Sequence, residues 1–247
     1  MTAPLAPSSS VTKTILAVVL FTLLCYCVIG LQMAVTLLFV REKLGFSSAI
    51  AGFAVSVQYL ATFATRAGAG HRIDHKGPKY VVQVGLLAGV VCGVLIAASA
   101  YLTAWPYLAL LCILLGRITL GFAESWVATA VIVWNIRRVG AAHTAKVISW
   151  NGVCSYGGIA IGAPIATLLY QSGSTVLTGF SGVGLLCAAL MLLAVPLAFK
   201  QPSVAPLPST QPVSFIPTLG QVWPFGPALA AGSIGFGALS ALLTPFF

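Results

Sequence analysis

Gly70-His71-Arg72-Ile73-Asp74-His75-Lys76-Gly77-Pro78-Lys79 is a short charged stretch between two long apolar runs. Its charge density and its two glycines predict a tight turn between membrane helices. The composition of the whole chain agrees with that setting. Of the 247 residues, 59% are hydrophobic and 6% are charged, against roughly one-quarter charged in soluble domains. The mean hydropathy is +1.04. The sequence therefore reads as an all-α integral membrane protein.

Working outward from the turn, apolar stretches cover residues 14–40, 49–68, 80–101, 106–134, 145–170 and 176–199. Each is near or above the ~20 residues that span a bilayer, which predicts six spans after a tail of residues 1–13. The first run is too long for the apolar region of about 7 to 15 residues in a cleaved signal peptide. Pro202, Pro206, Pro208, Pro212 and Pro217 predict an extended linker over 200–221, since proline forbids a continuous helix. Residues 222–247 are again apolar to the last position, Phe247. They predict a seventh helix, and the missing polar flank predicts a chain truncated within it.

Helix ends carry local signals. Ser47 or Ser48 is expected to cap the second helix and Thr144 the fifth, while Pro78 and Pro106 suit the first turns of the third and fourth. With the N-terminus inside, Lys13, Arg66, Arg72, Lys76, Lys79, Arg137, Arg138, Lys146 and Lys200 are cytoplasmic, and only Arg41 and Lys43 lie outside. That bias predicts a cytoplasmic N-terminus. It also explains the net charge of +9 without a nucleic-acid partner, because the basic residues are scattered among short loops with no aromatic-interleaved patch.

Several chemistries are excluded. The six cysteines lie within apolar runs without metal-ligand spacing, and His71 and His75 lack a ligand set, so no metal is expected. No phosphate-cradling loop is present. Glu42, Asp74 and Glu124 are the only acidic residues, too few for an enzyme's acid–base machinery beside a nucleophile. The expected partners are the lipid bilayer and a small organic solute.

Arg117 is the sharpest candidate. It lies about 12 residues into the fourth span, ~18 Å along the axis, close to the membrane midplane. A central arginine costs ~2.5 to 3.5 kcal/mol to insert and should face a partner or a wet cavity. Glu124 follows seven residues later on nearly the same face, ~10.5 Å further along. That is too far for a direct pair, but a carboxylate at this depth is a candidate proton carrier. The alternative for both is a structural polar network. Ser155, Gly158 and Gly162 share one face of the fifth span, ahead of Pro164. Small residues at this spacing allow close helix approach, and proline bends a helix. Tyr26, Gln32, Gln58, Tyr59, Trp126, Asn151 and Tyr156 are candidate cavity groups for a small polar or amphipathic organic molecule, with helix packing as the alternative for each.

Gly70-x-x-Ile73-Asp74-x-x-Gly77-x-Lys79 resembles the loop signature of the major facilitator superfamily, with Arg72 and Pro78 where Leu and Arg are usual. Gln58-Tyr59-x-Ala61-Thr62, Gly116-Arg117-x-x-Leu120-Gly121, Ile148-Ser149-Trp150-Asn151-Gly152 and Gly162-Ala163-Pro164 resemble the bacterial YhhS-like, arabinose-efflux-like permeases. The resemblance implies a six-helix first half built as a 3+3 inverted repeat, followed by the start of a second half. It implies that the loop of Gly70, Asp74, Gly77 and Lys79 latches the two halves, with Asp74 reaching a partner on the absent second half. It matches Arg117 to an arginine implicated in proton coupling, and it places Glu124 where the family more often has Gln. The fifth-helix pattern approximates that of exporters, with Ala163 interrupting the usual Gly-Pro. The implied function is proton-coupled export across a bacterial inner membrane, powered by the proton gradient without another cofactor. Uptake, or a non-transporting fragment acting as a membrane interaction module, are the alternatives. Half a cavity needs its missing half or a second copy of the chain.

Overall fold

A computed structural model describes residues 8–173 and 176–206. Six helices account for most of them: α1 Ser8–Leu38, α2 Ser48–Lys76, α3 Pro78–Ala100, α4 Pro106–Val139, α5 Thr144–Gln171 and α6 Gly179–Lys200. All six are long and apolar enough to cross a membrane. The expected seventh helix and the linker from residue 207 onward lie outside the described residues, as do residues 1–7.

The charged stretch is helical where a turn was expected. α2 runs without a break through Gly70 to Lys76, and the chain turns only at Gly77, whose φ of 85° favours glycine. A Cβ at Gly70 would meet nothing within 4 Å, so neither a turn nor a close approach requires glycine there. The polarity of 70–76 marks where the helix leaves lipid, which is a solvation boundary and not a hydrogen-bonding one. The same reason carries α4 beyond its expected end at 134 to Val139, through Asn135, Arg137 and Arg138. α1 extends likewise into a π-helical turn, Phe39–Lys43.

Caps follow the expected chemistry at three sites and depart from it at one. Ser47 Oγ accepts from Ile50 N at 3.4 Å, and Pro78 and Pro106 open α3 and α4. Thr144 does not cap α5. It is the first helical residue, and its hydroxyl donates to Ala141 O at 2.7 Å, because a 3-10 turn over Ala141–His143 supplies the entry instead.

The helices pack as α1 on α5 and α4, α4 on α2 and α3, and α6 on α3 and α1. Exchanging α1 with α4, α2 with α5 and α3 with α6 leaves these pairings unchanged. Because successive spans alternate in direction, that exchange also inverts the triplet, as in an inverted-topology repeat. At the α3–α6 contact Gly93 abuts Ala188 and Gly184 abuts Ala97, and both members of each pair shift by the same number of residues. The peripheral mates α2 and α5 each bury 17% of their apolar window, against 61% for the span built on α1. Phe53 and Phe63 of α2 and Val153 and Leu168 of α5 are accordingly exposed.

Candidate functional site

Val55, Gln58 and Thr62 form one stripe of α2, at spacings of three and four residues. The stripe meets Arg117, Gly121 and Glu124 of α4 in the same order, since α2 and α4 run parallel. Arg117 Nη2 donates to Val55 O at 2.9 Å. Gln58 Nε2 donates to Glu124 Oε2 at 2.8 Å, and the Thr62 hydroxyl lies 3.0 Å from the same oxygen. Gly121 makes this possible. A Cβ there would strike Gln58 O and come within 2.9 Å of the Ala61 Cβ, so any side chain would hold the two helices apart.

Burial raises the stakes of each contact. Arg117 and Gln58 are fully buried and Glu124 is 7% exposed. Arg117 and Glu124 do not form an ion pair, in keeping with their separation along α4. Nε and Nη1 of Arg117 have no partner among the described residues, and neither does Gln58 Oε1. The Thr62 hydroxyl has one proton and three acceptors in reach: Glu124 Oε2, Gln58 O at 3.1 Å and Gly121 O at 3.2 Å. It can therefore donate to an ionised Glu124, or turn to a backbone carbonyl and accept from a protonated one.

The other sequence candidates separate. Gln32 is fully buried against α3, where its Nε2 lies 3.0 Å from Cys92 Sγ. Trp126 is 4% exposed, with its Cβ beside α3 at Gly85, Phe122 at its ring and the Arg72 guanidinium 5.0 Å from its centroid. Both side chains thus serve the interior of this bundle. Tyr59 and Tyr156 are 50% and 63% exposed, and Tyr26 packs partly buried against the core. Asn151 Oδ1 accepts from Thr22 Oγ1 at 2.9 Å, joining α5 to α1. On α5, a Cβ at Gly158 would lie 2.6 Å from Leu23 O, and one at Gly162 would strike Cys27 O. Ser155 donates to Asn151 O within its own helix, at 2.9 Å. Pro164 lies inside α5, which continues to Gln171. A cavity of about 1020 Å³ opens at the end of the bundle bearing Glu42, lined by Phe39, Tyr101, Tyr170 and Phe180. Neither Arg117 nor Glu124 lines it.

At the opposite end Asp74 Oδ1 pairs with Arg137 Nη2 at 3.1 Å, a partner on α4 of the same six-helix bundle. Asp74 is 45% exposed, and solvent limits such a pair to about 0.2–1 kcal/mol. A double-mutant cycle of Asp74→Asn and Arg137→Gln is expected to give a coupling of that size, diminishing with added salt. A coupling above about 2 kcal/mol that is insensitive to salt contradicts it. Lys79, placed beside Asp74 in sequence, turns away from it: its Nζ donates to Phe199 O and Gln201 O, both at 2.8 Å.

Residue-type reasoning selected Arg117, Glu124 and Gln58 but not Thr62 or Thr22. Threonines in apolar helices commonly satisfy themselves on a carbonyl one turn back, as Thr36 does on Gln32 O at 2.6 Å. The signal available was position, since Thr62 shares a face with Gln58.

A sequence profile of the Major Facilitator Superfamily matches residues 18–247. An uncharacterised MFS-type transporter of Burkholderia pseudomallei (strain 1106a) is 40% identical over 236 residues, which cover 96% of this chain and 56% of that protein. One from Pseudomonas aeruginosa (strain LESB58) is 42% identical over 238 residues, 96% of this chain and 58% of the relative. The chain thus spans little more than half the length of these relatives. Among solved structures, the proton:xylose symporter XylE bound to 6-bromo-6-deoxy-D-glucose matches 78% of this chain and 46% of its own, with a TM-score of 0.59 and 16% identity. That likeness is one of fold. The polar stripe buried between α2 and α4, the inverted pairing of six spans and the profile match agree, and the chain belongs to the major facilitator superfamily.

Proposed function

We propose that this chain is the first half of a proton-coupled secondary transporter of YhhS-like type, exporting a small organic solute across the bacterial inner membrane. The observation that carries the reading is the Glu124 carboxylate, buried in a membrane helix and held by Gln58 and Thr62. Ionised, Oε2 accepts two hydrogen bonds from neutral donors. Protonated, the carboxyl donates to Thr62 Oγ1 while the threonine proton turns to Gln58 O or Gly121 O. Both protonation states are thereby satisfied with one hydroxyl rotation, a property suited to a carrier that loads and unloads a proton. Arg117 supplies a fixed positive charge on the same helix, about two turns away. The basic end of the bundle is the cytoplasmic one on this reading, and alternating access moves this bundle against a second half. Tyr59 and Tyr156, exposed on the peripheral helices, are the candidates for solute contact.

Proteoliposomes holding the stably inserted chain together with a separately supplied second half, and an internal pH dye, test the proposal. Solute-dependent proton movement is expected, and Glu124→Gln is expected to lower it at least about 100-fold, since an amide keeps the shape but carries no proton. A variant that moves protons at the wild-type rate sinks the role of Glu124. Two stably inserted halves that move none with any solute favour the non-transporting alternative.

A further inference from the structure

We infer that residues 201–206 form a fixed strap across the basic end of the bundle, positioned by Lys79, Trp134 and Arg138. Three hydrogen bonds from two helices, α3 and α4, converge on it. Lys79 Nζ, at the start of α3, donates to Phe199 O and Gln201 O. Arg138 Nη1 of α4 donates to Gln201 Oε1 at 3.2 Å. The indole Nε1 of Trp134, a fully buried residue of α4, donates to Pro202 O at 3.1 Å. Val204 then packs against the core, and its carbonyl lies 3.4 Å from where a Cβ on Gly77 would stand.

The residue types fit this role. The last carbonyls of α6 have no partner within the helix, and Pro202 prevents the next turn from continuing it. An ammonium placed there satisfies two carbonyls and complements the negative end of the α6 dipole. The same ammonium opposes the dipole of α3, whose first turn it occupies, so its position is explained by α6 and not by its own helix. Arg137 and Arg138 divide the work of one helix end: the first holds Asp74 and the second holds the strap. Residues 201–206 therefore pass beside Gly77 and do not run straight on from the tip of α6. On the two-half reading this ties the turn between α2 and α3, through Gly77 and Val204, to any motion transmitted along residues 201–206.

Trypsin cleavage after Lys200, exposed at the end of α6, reads the strap directly. The 247-residue chain in detergent is digested briefly, and peptides beginning at Gln201 are quantified against cleavage after Lys146 as an internal reference. Lys79→Ala is expected to raise the ratio about tenfold or more, because charge-assisted hydrogen bonds are lost. Lys79→Arg should keep it within about twofold, as should Asp74→Asn, which removes the ion pair and leaves the strap. If Lys79→Ala accelerates both sites it has loosened the whole fold. Trp134→Phe then decides, since it removes only the indole N–H and part of a ring, and a severalfold rise in the ratio is expected. Unchanged ratios in both Lys79→Ala and Trp134→Phe overturn the strap. Proteolysis needs neither flux nor a second half, so absence of transport from the two halves together would refute the transport reading and leave this inference standing.

Discussion

Replacing Gly121 by alanine is expected to separate α2 from α4 and to lower the midpoint of thermal unfolding in detergent by on the order of 5 °C or more. The added methyl would strike the carbonyl oxygen of Gln58 and crowd Ala61 Cβ at 2.9 Å. A backbone atom in a packed helix cannot rotate aside, so the helices must part. Overpacking costs typically 1–3 kcal/mol. Parting also stretches the 2.9 Å bond from Arg117 to Val55 O and the 2.8 Å bond from Gln58 to Glu124, leaving buried polar groups short of partners. Gly52→Ala is the control. It lies in α2 with nothing within 4 Å of its would-be Cβ, and the better helix propensity of alanine should leave stability equal or slightly higher. Equal midpoints for Gly121→Ala and the wild type contradict the close approach of α2 and α4.

Arg117→Met is expected to leave the protein as stable as the wild type, or more so, while reducing proton-coupled flux at least about 100-fold. A structural arginine behaves otherwise. When such a group anchors a fold through an ion pair, its removal strands a buried carboxylate and costs about 3–5 kcal/mol. Here no carboxylate is stranded, because Glu124 is held by Gln58 and Thr62. Arg117 makes one bond to the protein, to Val55 O, and keeps two nitrogens without partners among the described residues while fully buried. An apolar side chain of similar length removes the cost of burying that charge and strands only a carbonyl within a helix. Thermal midpoints and flux measured on the same preparation decide between the roles. A stable variant with full flux removes Arg117 from the mechanism, and an unstable one makes it structural.

The six spans, the basic bias of their ends and the two polar residues inside α4 were legible from one sequence, because transfer of a segment into lipid is close to a sum over its own residues. Arg117 announces itself by its cost in that sum, whatever its neighbours are. Glu124 was legible for the same reason, though not its partners. The stretch 70–79 was half legible. Its signature identified the family, and Gly77 turns the chain as its type suggests. Yet the helix runs on through Gly70 to Lys76, since leaving the membrane ends the demand for apolar side chains without ending the hydrogen-bond ladder.

The tertiary structure alone decided which groups meet. Asp74 and Lys79 are five residues apart and were read as one device, but they face different elements: Asp74 the end of α4, and Lys79 the end of α6. Gln32 and Trp126 were grouped with Tyr59 as cavity candidates by chemistry, yet they lie buried against α3 while Tyr59 is exposed. Thr62 entered only as part of the Gln58-Tyr59-x-Ala61-Thr62 motif, with no role of its own, until Gly121 brought its helix against Glu124. Hydrophobicity acts on each residue separately and is written along the chain. A hydrogen bond requires two groups within about 3 Å, and for partners some 60 residues apart that distance depends on helix rotation and closeness of approach, which only the assembled bundle defines.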